Sequence, residues 1–344
     1  MGGIPFRTDS FMKQFSPYLS TAVIFLAVCM LSACSIINDP AAPPPSAGGT
    51  PNHLAVLFPN ETNFPTDPVA AANWIKTKSD AGDPAAKYAL GWANYLGAGV
   101  PKDQPLALQL FAQAAAQGSD EALLSLGFLQ YDTPLINGDA QLAPKPDLQA
   151  YQQAADKGDE LAQEILREHK NSMPEPPSAH LMQWYRKLAN LGVPAAQVLL
   201  GRYNLIGYGG LEKNSVQAIV WFTLADAQDN GAADANLGQI YIQGDGVPKD
   251  VPLGLTFLKK GANRGAPLAL SVFGQMTAGG ENAPKNEVEG LAMMYAAQAM
   301  GTVADPIALS DLEKSLDSSR VAAARKRSEE ILGPEKLQAL KPAP

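Results

Sequence analysis

The sequence predicts an all-α, right-handed solenoid of about seven stacked helix pairs, and three observations predict it. Gly82, Gly118, Gly158, Gly192, Gly231, Gly265 and Gly301 each close an Ala-rich helical pattern, at separations of 36, 40, 34, 39, 34 and 36 residues. A fixed period of this size is the mark of stacked supersecondary units. The heptapeptide Gly-x-Gly-Val-Pro-Lys-Asp occurs at 97–103 and again at 244–250. Between those punctuation marks, apolar residues recur at spacings of three and four, which places them on one helical face.

In chain order, the first segment reads as an export signal. Leu19 to Ala33 (LSTAVIFLAVCMLSA) is an unbroken apolar and small run behind Lys13. It is short for a bilayer span, which needs roughly 20 residues, and it suits the apolar core of a signal peptide. Leu31-Ser32-Ala33-Cys34 resembles the bacterial lipobox. The resemblance implies cleavage before Cys34, a lipid on its thiol, and a mature chain tethered to a membrane. Ser35 stands where Asp would be the usual inner-membrane retention signal, so the reading is an outer-membrane lipoprotein, facing the periplasm in preference to the cell surface.

Residues 1–33 are thus expected to be signal peptide and 34–66 a tether, since Asn38 to Asn52 (NDPAAPPPSAGGTPN) has nothing to bury. His53 to Phe64 (HLAVLFPNETNF) is apolar enough to be either tether or a segment packed on the first helix. Loss of residues 1–33 removes Arg7, Lys13 and Asp9 from 26 basic and 34 acidic side chains, moving the net charge from -8 to -9. That balance argues against a partner recognised through phosphates, nucleic acid above all, and favours neutral or basic peptide segments. Cys29 falls in the signal and Cys34 is spent on lipid, so the body has no thiol left for a disulfide or a metal.

The repeat body is expected over 67–317, with a capping helix and tail over 318–344. Its clearest unit carries Ala86, Leu90-Gly91, Tyr95, Gly97, Gly99-Val100, Asp103, Ala107, Phe111, Ala114-Ala115 and Gly118. The series returns as Ala233, Leu237-Gly238, Tyr241, Gly244, Gly246-Val247, Asp250, Gly254, Phe257, Ala262 and Gly265. Gly91 and Gly238 allow a neighbouring helix to approach. The loop glycines take the positive φ of a tight turn. Asp103 and Asp250 stand as N-caps before a first-turn Pro. One pair of helices cannot bury both its faces, so the units must stack. Weaker units appear at Leu126-Gly127, Leu166-Arg167, Leu200-Gly201 and Phe273-Gly274, with Asn214 and Asn286 in place of the capping Asp. Pro-bearing stretches near Thr133–Pro146 and Asn171–Ser178 interrupt the array. Pro306 to Leu316 and Ser319 to Leu332 read as the last two helices, and Arg320, Arg325, Lys326 and Arg327 as the solvated face of the cap.

This series resembles the Sel1-like repeat family, relatives of the tetratricopeptide repeats with a similar helix pair and a slightly longer turn. The resemblance implies a protein-binding scaffold. By analogy with tetratricopeptide arrays, it also implies that the residues one after and three before each Leu-Gly glycine line a partner-binding groove. Those positions are Trp92 and Tyr88, Phe128 and Leu124, Arg202 and Val198, Gln239 and Ala235, Gln275 and Ser271. The groove is expected to run from aromatic to polar, with Tyr88, Trp92 and Arg202 as its hot spots, and to suit an extended peptide or a sugar chain.

Catalysis has little to stand on. The Gly-x-Gly-Val-Pro-Lys-Asp loops lack the strand and the Lys-Ser/Thr of a phosphate loop, and Asp245 and Asp250 lack the alternation of a calcium loop. His53, His169 and His180 fall in separate segments and read as surface residues, and no nucleophile stands with a base. No catalytic residue, cofactor or metal is assigned. The expected function is a lipid-anchored envelope scaffold, one that supports an exopolysaccharide or secretion complex and has polysaccharide contact within its reach. The alternative is a cell-wall-active enzyme, because some Cys-rich relatives have been linked to penicillin binding or β-lactam hydrolysis. Those relatives carry a Cys pair per repeat, which this chain lacks.

Overall fold

Among the residues described by the computed structural model, 53–138, 148–170, 176–280 and 284–340, there are sixteen α-helices and no strand. The signal segment, Cys34 and the Pro-rich tether lie outside the described residues, as do parts of both irregular stretches. α1 (Pro68–Asp80) leads into a first pair, α2 (Pro84–Leu96) and α3 (Gln104–Ala116). Next comes α4 (Asp120–Gly127), prolonged through a π-turn at Phe128–Asp132 into α5 (Thr133–Asn137), and its partner α6 (Gln149–Asp156). α7 (Glu160–Lys170) pairs with α8 (Ala179–Leu191), and α9 (Pro194–Ile206) with α10 (Ser215–Asp226). α11 (Gly231–Gln243) with α12 (Val251–Asn263), and α13 (Pro267–Gly279) with α14 (Glu287–Ala299), continue the array, and α15 (Pro306–Ser315) and α16 (Ser318–Ala339) end it. Most helices pack on their neighbours in the chain, as a solenoid requires, while α6 packs back on α4 and α16 on α14.

The repeated heptapeptide builds one loop twice. Gly97 and Gly99 take φ of 74° and 73°, and Gly244 and Gly246 both take 76°, values open to glycine at little cost. The capping residue then ties the loop at both ends. The Asp103 amide donates to the Asn94 carbonyl (2.8 Å) while its carboxylate accepts from the Leu106 amide (2.9 Å). Asp250 repeats this with Tyr241 (2.8 Å) and Leu253 (3.0 Å). Asn214 and Asn286 do the same with their amide side chains, accepting from Gln217 (2.9 Å) and Glu289 (3.1 Å). The exchange of Asp for Asn therefore leaves the turn intact, since either oxygen satisfies an otherwise orphaned N–H.

The Leu-Gly positions are sockets. A Cβ on Gly91 would lie 2.6 Å from the Phe111 ring, one on Gly127 2.6 Å from Tyr151, and one on Gly201 2.5 Å from Phe222. In each pair the missing side chain of the first helix admits a large ring from the second, and all three rings are fully buried. The fourth socket keeps this register and corrects one expected pairing, since Leu258 stands eight residues after its cap Asp250, as Phe111 does after Asp103, and Phe257 only seven. Leu258, not Phe257, fills the Gly238 socket, 2.7 Å from where a Cβ would be, and Leu258 is fully buried. Phe257 instead stacks on Tyr241 with centroids 5.7 Å apart. Gly254 lets the two helices approach closely, since its Cβ would meet the Gly238 carbonyl at 2.7 Å, and a leucine fills the space that remains.

One other expectation is corrected. Gly231 does not close its repeat. It is the first residue of α11, capped by Asn230, whose side chain accepts from the Ala233 amide (3.0 Å). The left-handed residue is Asp229 (φ 62°), a residue type that tolerates this region. Gly231 is small for packing, since a Cβ there would stand 2.9 Å from Ala266. The basic residues of the cap are solvated, as expected, with Arg325, Lys326 and Arg327 exposed and Arg320 half-buried, and the arginines carry surface ion pairs. Arg320 reaches Glu287 (2.7 Å), Arg327 reaches Glu289 (3.0 Å), and Arg325 bonds Glu313 (2.7 Å) while lying over the Tyr295 ring. Arg320 and Arg327 thus strap α16 onto α14; Lys326 remains exposed. α16 breaks at Gly333 (φ 72°), before Pro334, where the sequence pattern closes it.

His53 to Phe64 packs on the array. Residues 53–57 form a 3-10 turn against α2 and α8, and Leu54 within it is 0% exposed. Phe58, Phe64 and Trp74 then form an aromatic triad with centroids 5.2 to 5.4 Å apart, which clamps the following stretch onto α1. Lys78 adds a bond to Glu61 (2.9 Å) and lies 4.0 Å over Trp74.

Candidate partner-binding face

The groove positions divide by location along the array. In the position one after the socket glycine, Trp92 and Phe128 are 0% exposed, while Arg202, Gln239 and Gln275 are half-buried. In the position three before it, Tyr88, Leu124, Val198, Ala235 and Ser271 are all buried. Tyr88, Trp92 and Phe128 are therefore core residues and offer no surface to a partner, which corrects the expectation of an aromatic groove. Trp92 packs on Phe111 (4.9 Å between centroids) and Tyr95 (5.6 Å), and Phe128 on Trp184 (5.5 Å). The Tyr88 hydroxyl pairs with Ser125 (3.2 Å), and burial, with the nearby Glu121, pushes its phenol above the ordinary value.

Arg202 is engaged by the chain itself. Its guanidinium donates to the Ile136 carbonyl (2.7 Å), holding α5 against α9, and burial lowers its pKa from the ordinary value. Asn230 donates to Asn137 (3.0 Å) beside it. Gln275 donates to Asp305 at 3.4 Å, and Gln239 is half-exposed on α11. The polar, accessible part of this face is thus on α11 and α13, and the aromatic part is closed.

His53 was expected at the surface; it is half-buried, and its Nδ1 pairs with the Asn190 carbonyl (3.1 Å). His180 is exposed, and the His169 side chain lies outside the described residues. Among the described residues no group of three or more His, Cys, Asp or Glu is arranged to hold a metal ion. No described helix is long and apolar enough to cross a membrane.

A charge cluster between α10, α11 and α12 was not anticipated. Arg264 bonds Asp226 and Asp234 through Nη1, both at 2.7 Å, and Asp229 through Nη2; Lys260 also bonds Asp226. The Asp234 side chain is 0% exposed. Burial and the adjacent Asp226 carboxylate push its carboxyl up to about 6 against the pull of Arg264. Burial acts to raise Asp226 too, yet Lys260 and Arg264 hold it below the ordinary value. These residues come from three helices without a common spacing, so no local pattern announces them.

Comparison with known families matches the Sel1 repeat at residues 84–119, 182–193, 194–230 and 231–265. Those stretches cover α2–α3, the greater part of α8, α9–α10 and α11–α12. No curated protein matches the chain. Among solved structures, it is similar to a protective antigen of uropathogenic Escherichia coli displaying an SLR fold, at 24% identity over 84% of this chain and 62% of that one, with a TM-score of 0.46. It is similar also to a Sel1 repeat protein from Oxalobacter formigenes, at 23% identity over 84% of each chain and a TM-score of 0.43. The chain spans 62% of the length of the first of these two.

Proposed function

We propose that this chain, which carries Sel1 repeats at four stretches, is a lipid-anchored adaptor of the bacterial cell envelope that holds protein partners in one assembly. The repeats carry the reading, because stacked helix pairs present one extended face and no catalytic apparatus is needed to use it. Gln239 and Gln275 are the contact residues, since they occupy successive equivalent positions and keep access to solvent, whereas Arg202 is taken up by the Ile136 carbonyl. Their polarity suits the backbone and side-chain amides of a neutral or basic segment, and leaves room for contact with the hydroxyls of a polysaccharide. Support of an exopolysaccharide or secretion complex is the physiological setting this implies.

Anchoring rests on Leu31-Ser32-Ala33-Cys34 and is tested by Cys34→Ala in cells. The variant is expected to move from the outer-membrane fraction to a soluble one. Retention in the membrane would contradict the lipid anchor while leaving the scaffold reading in place. Partner holding is tested by in-cell cross-linking of the full chain followed by affinity capture; a discrete cross-linked species is expected, and its absence would count against an adaptor.

A further inference from the structure

We propose that the cleft between α2 and α8 is a peptide-binding site held closed by the chain's own turn His53–Leu57, and that the occupant it admits when open is a short apolar peptide of leucine and valine chemistry. The proposal rests on the scaffold reading and names the partner class for one part of the face.

The turn is placed like a bound ligand. It contacts α2 and α8, two helices far apart in sequence, and belongs to neither of their repeats. One side chain, Leu54, is wholly buried; Val56 and Leu57 are half-buried and Ala55 faces solvent. The turn's polar contact with α8 is His53 Nδ1 with the Asn190 carbonyl near that helix's end (3.1 Å), where the ring also lies 3.9 Å from the place a Cβ on Gly192 would take. One apolar anchor, flanking partly buried residues and a main-chain carbonyl as polar partner is how an apolar peptide is held in a helical groove.

The attachment is separable from the rest of the segment. Phe58, Phe64 and Trp74 clamp the stretch after the turn onto α1, and Lys78 bonds Glu61 there. The turn can therefore leave the cleft while its C-terminal neighbour stays fixed. A tethered occupant competes at a high effective concentration, so the cleft is closed to free peptide in the resting chain.

The test uses the full chain with Leu54→Ser, Val56→Ser and Leu57→Ser together, and a fluorescent peptide of residues 53–61 (HLAVLFPNE) as probe. Fluorescence anisotropy is expected to show saturable binding to the variant with a Kd at least tenfold below that for the parent chain. A control peptide with Glu in place of its leucine at 54 is expected not to bind. Equal binding to parent and variant, or no binding to a variant that retains its helical circular dichroism, would overturn the proposal. If the triple variant loses its helical signal, Leu54→Ser alone takes its place. Loss of helicity in both variants would overturn it too, because the turn would then be part of the indispensable core. None of these failures touches the scaffold reading, which is tested at Gln239 and Gln275, away from the cleft.

Discussion

The Phe222 ring occupies the space where Gly201 has no side chain, so that a Cβ on Gly201 would lie 2.5 Å from Phe222 Cε1. The same relation joins Gly91 to Phe111 and Gly127 to Tyr151. Gly201→Ala is expected to lower the urea midpoint. Overpacking costs about 1–3 kcal/mol, which outweighs the helix-propensity gain of up to about 1 kcal/mol for Ala over Gly. A raised midpoint would show that the ring moves aside freely and that the socket does not fix the helix pair.

Trp92→Ala and Phe128→Ala are each expected to destabilise the fold by about 3–5 kcal/mol, as truncation of a buried ring does. Tyr88→Phe removes only the bond to Ser125 and is expected to cost about 1 kcal/mol. Chemical denaturation checks all three. Loss of partner capture by Trp92→Ala at unchanged stability would return this residue to the binding surface.

Leu258→Ala is expected to cost about 2–5 kcal/mol and Phe257→Ala less, since Leu258 fills the Gly238 socket and Phe257 is only partly buried. The reverse order in denaturation would show that Phe257, not Leu258, carries the packing of this helix pair.

Asp234 gives the cluster a pH dependence. Its folded-state pKa of about 6 stands above that of an unfolded aspartate, so its stabilising contribution is full below about pH 4 and is lost as the pH rises through about 6. Asp226 is shifted the other way and contributes above the ordinary aspartate range. Asp234→Asn stays neutral throughout. The Tm of Asp234→Asn minus that of the parent is therefore expected to rise by about 2 °C or more between pH 5 and pH 7. A flat or falling difference would show that Arg264 and Lys260 keep Asp234 ionised at no cost.

The helix pairs were legible because their determinants are local. A closing glycine, a capping Asp and a Leu-Gly socket each declare themselves within a few residues and recur with the period. Asn214 shows how far that legibility extends, since its cap has the geometry of Asp103. The candidate face was legible only in part. Tyr88 and Trp92 fall at the same repeat positions as Val198 and Arg202, and position alone does not say whether a ring faces solvent. What closes that part of the face is packing within the array, where Trp92 lies against Phe111 and Tyr95 and the Tyr88 hydroxyl pairs with Ser125. The Asp226, Asp234 and Arg264 cluster was hidden for the same reason: its members meet only when three helices are stacked. Gly231 misled because glycine serves both close packing and positive φ, and here Asp229 supplies the second.

Site-specific photo-cross-linking in cells tests the scaffold claim most directly. A photoreactive side chain is placed in the full chain at Gln239 or Gln275, on the first helices of their pairs, and for comparison at the exposed Leu106 or Val216 near the starts of second helices. The account predicts a discrete cross-linked partner from positions 239 and 275 and none from 106 and 216. Cross-links from 106 and 216 alone would contradict it, because the partner would then be held by the opposite edge of the helix pairs.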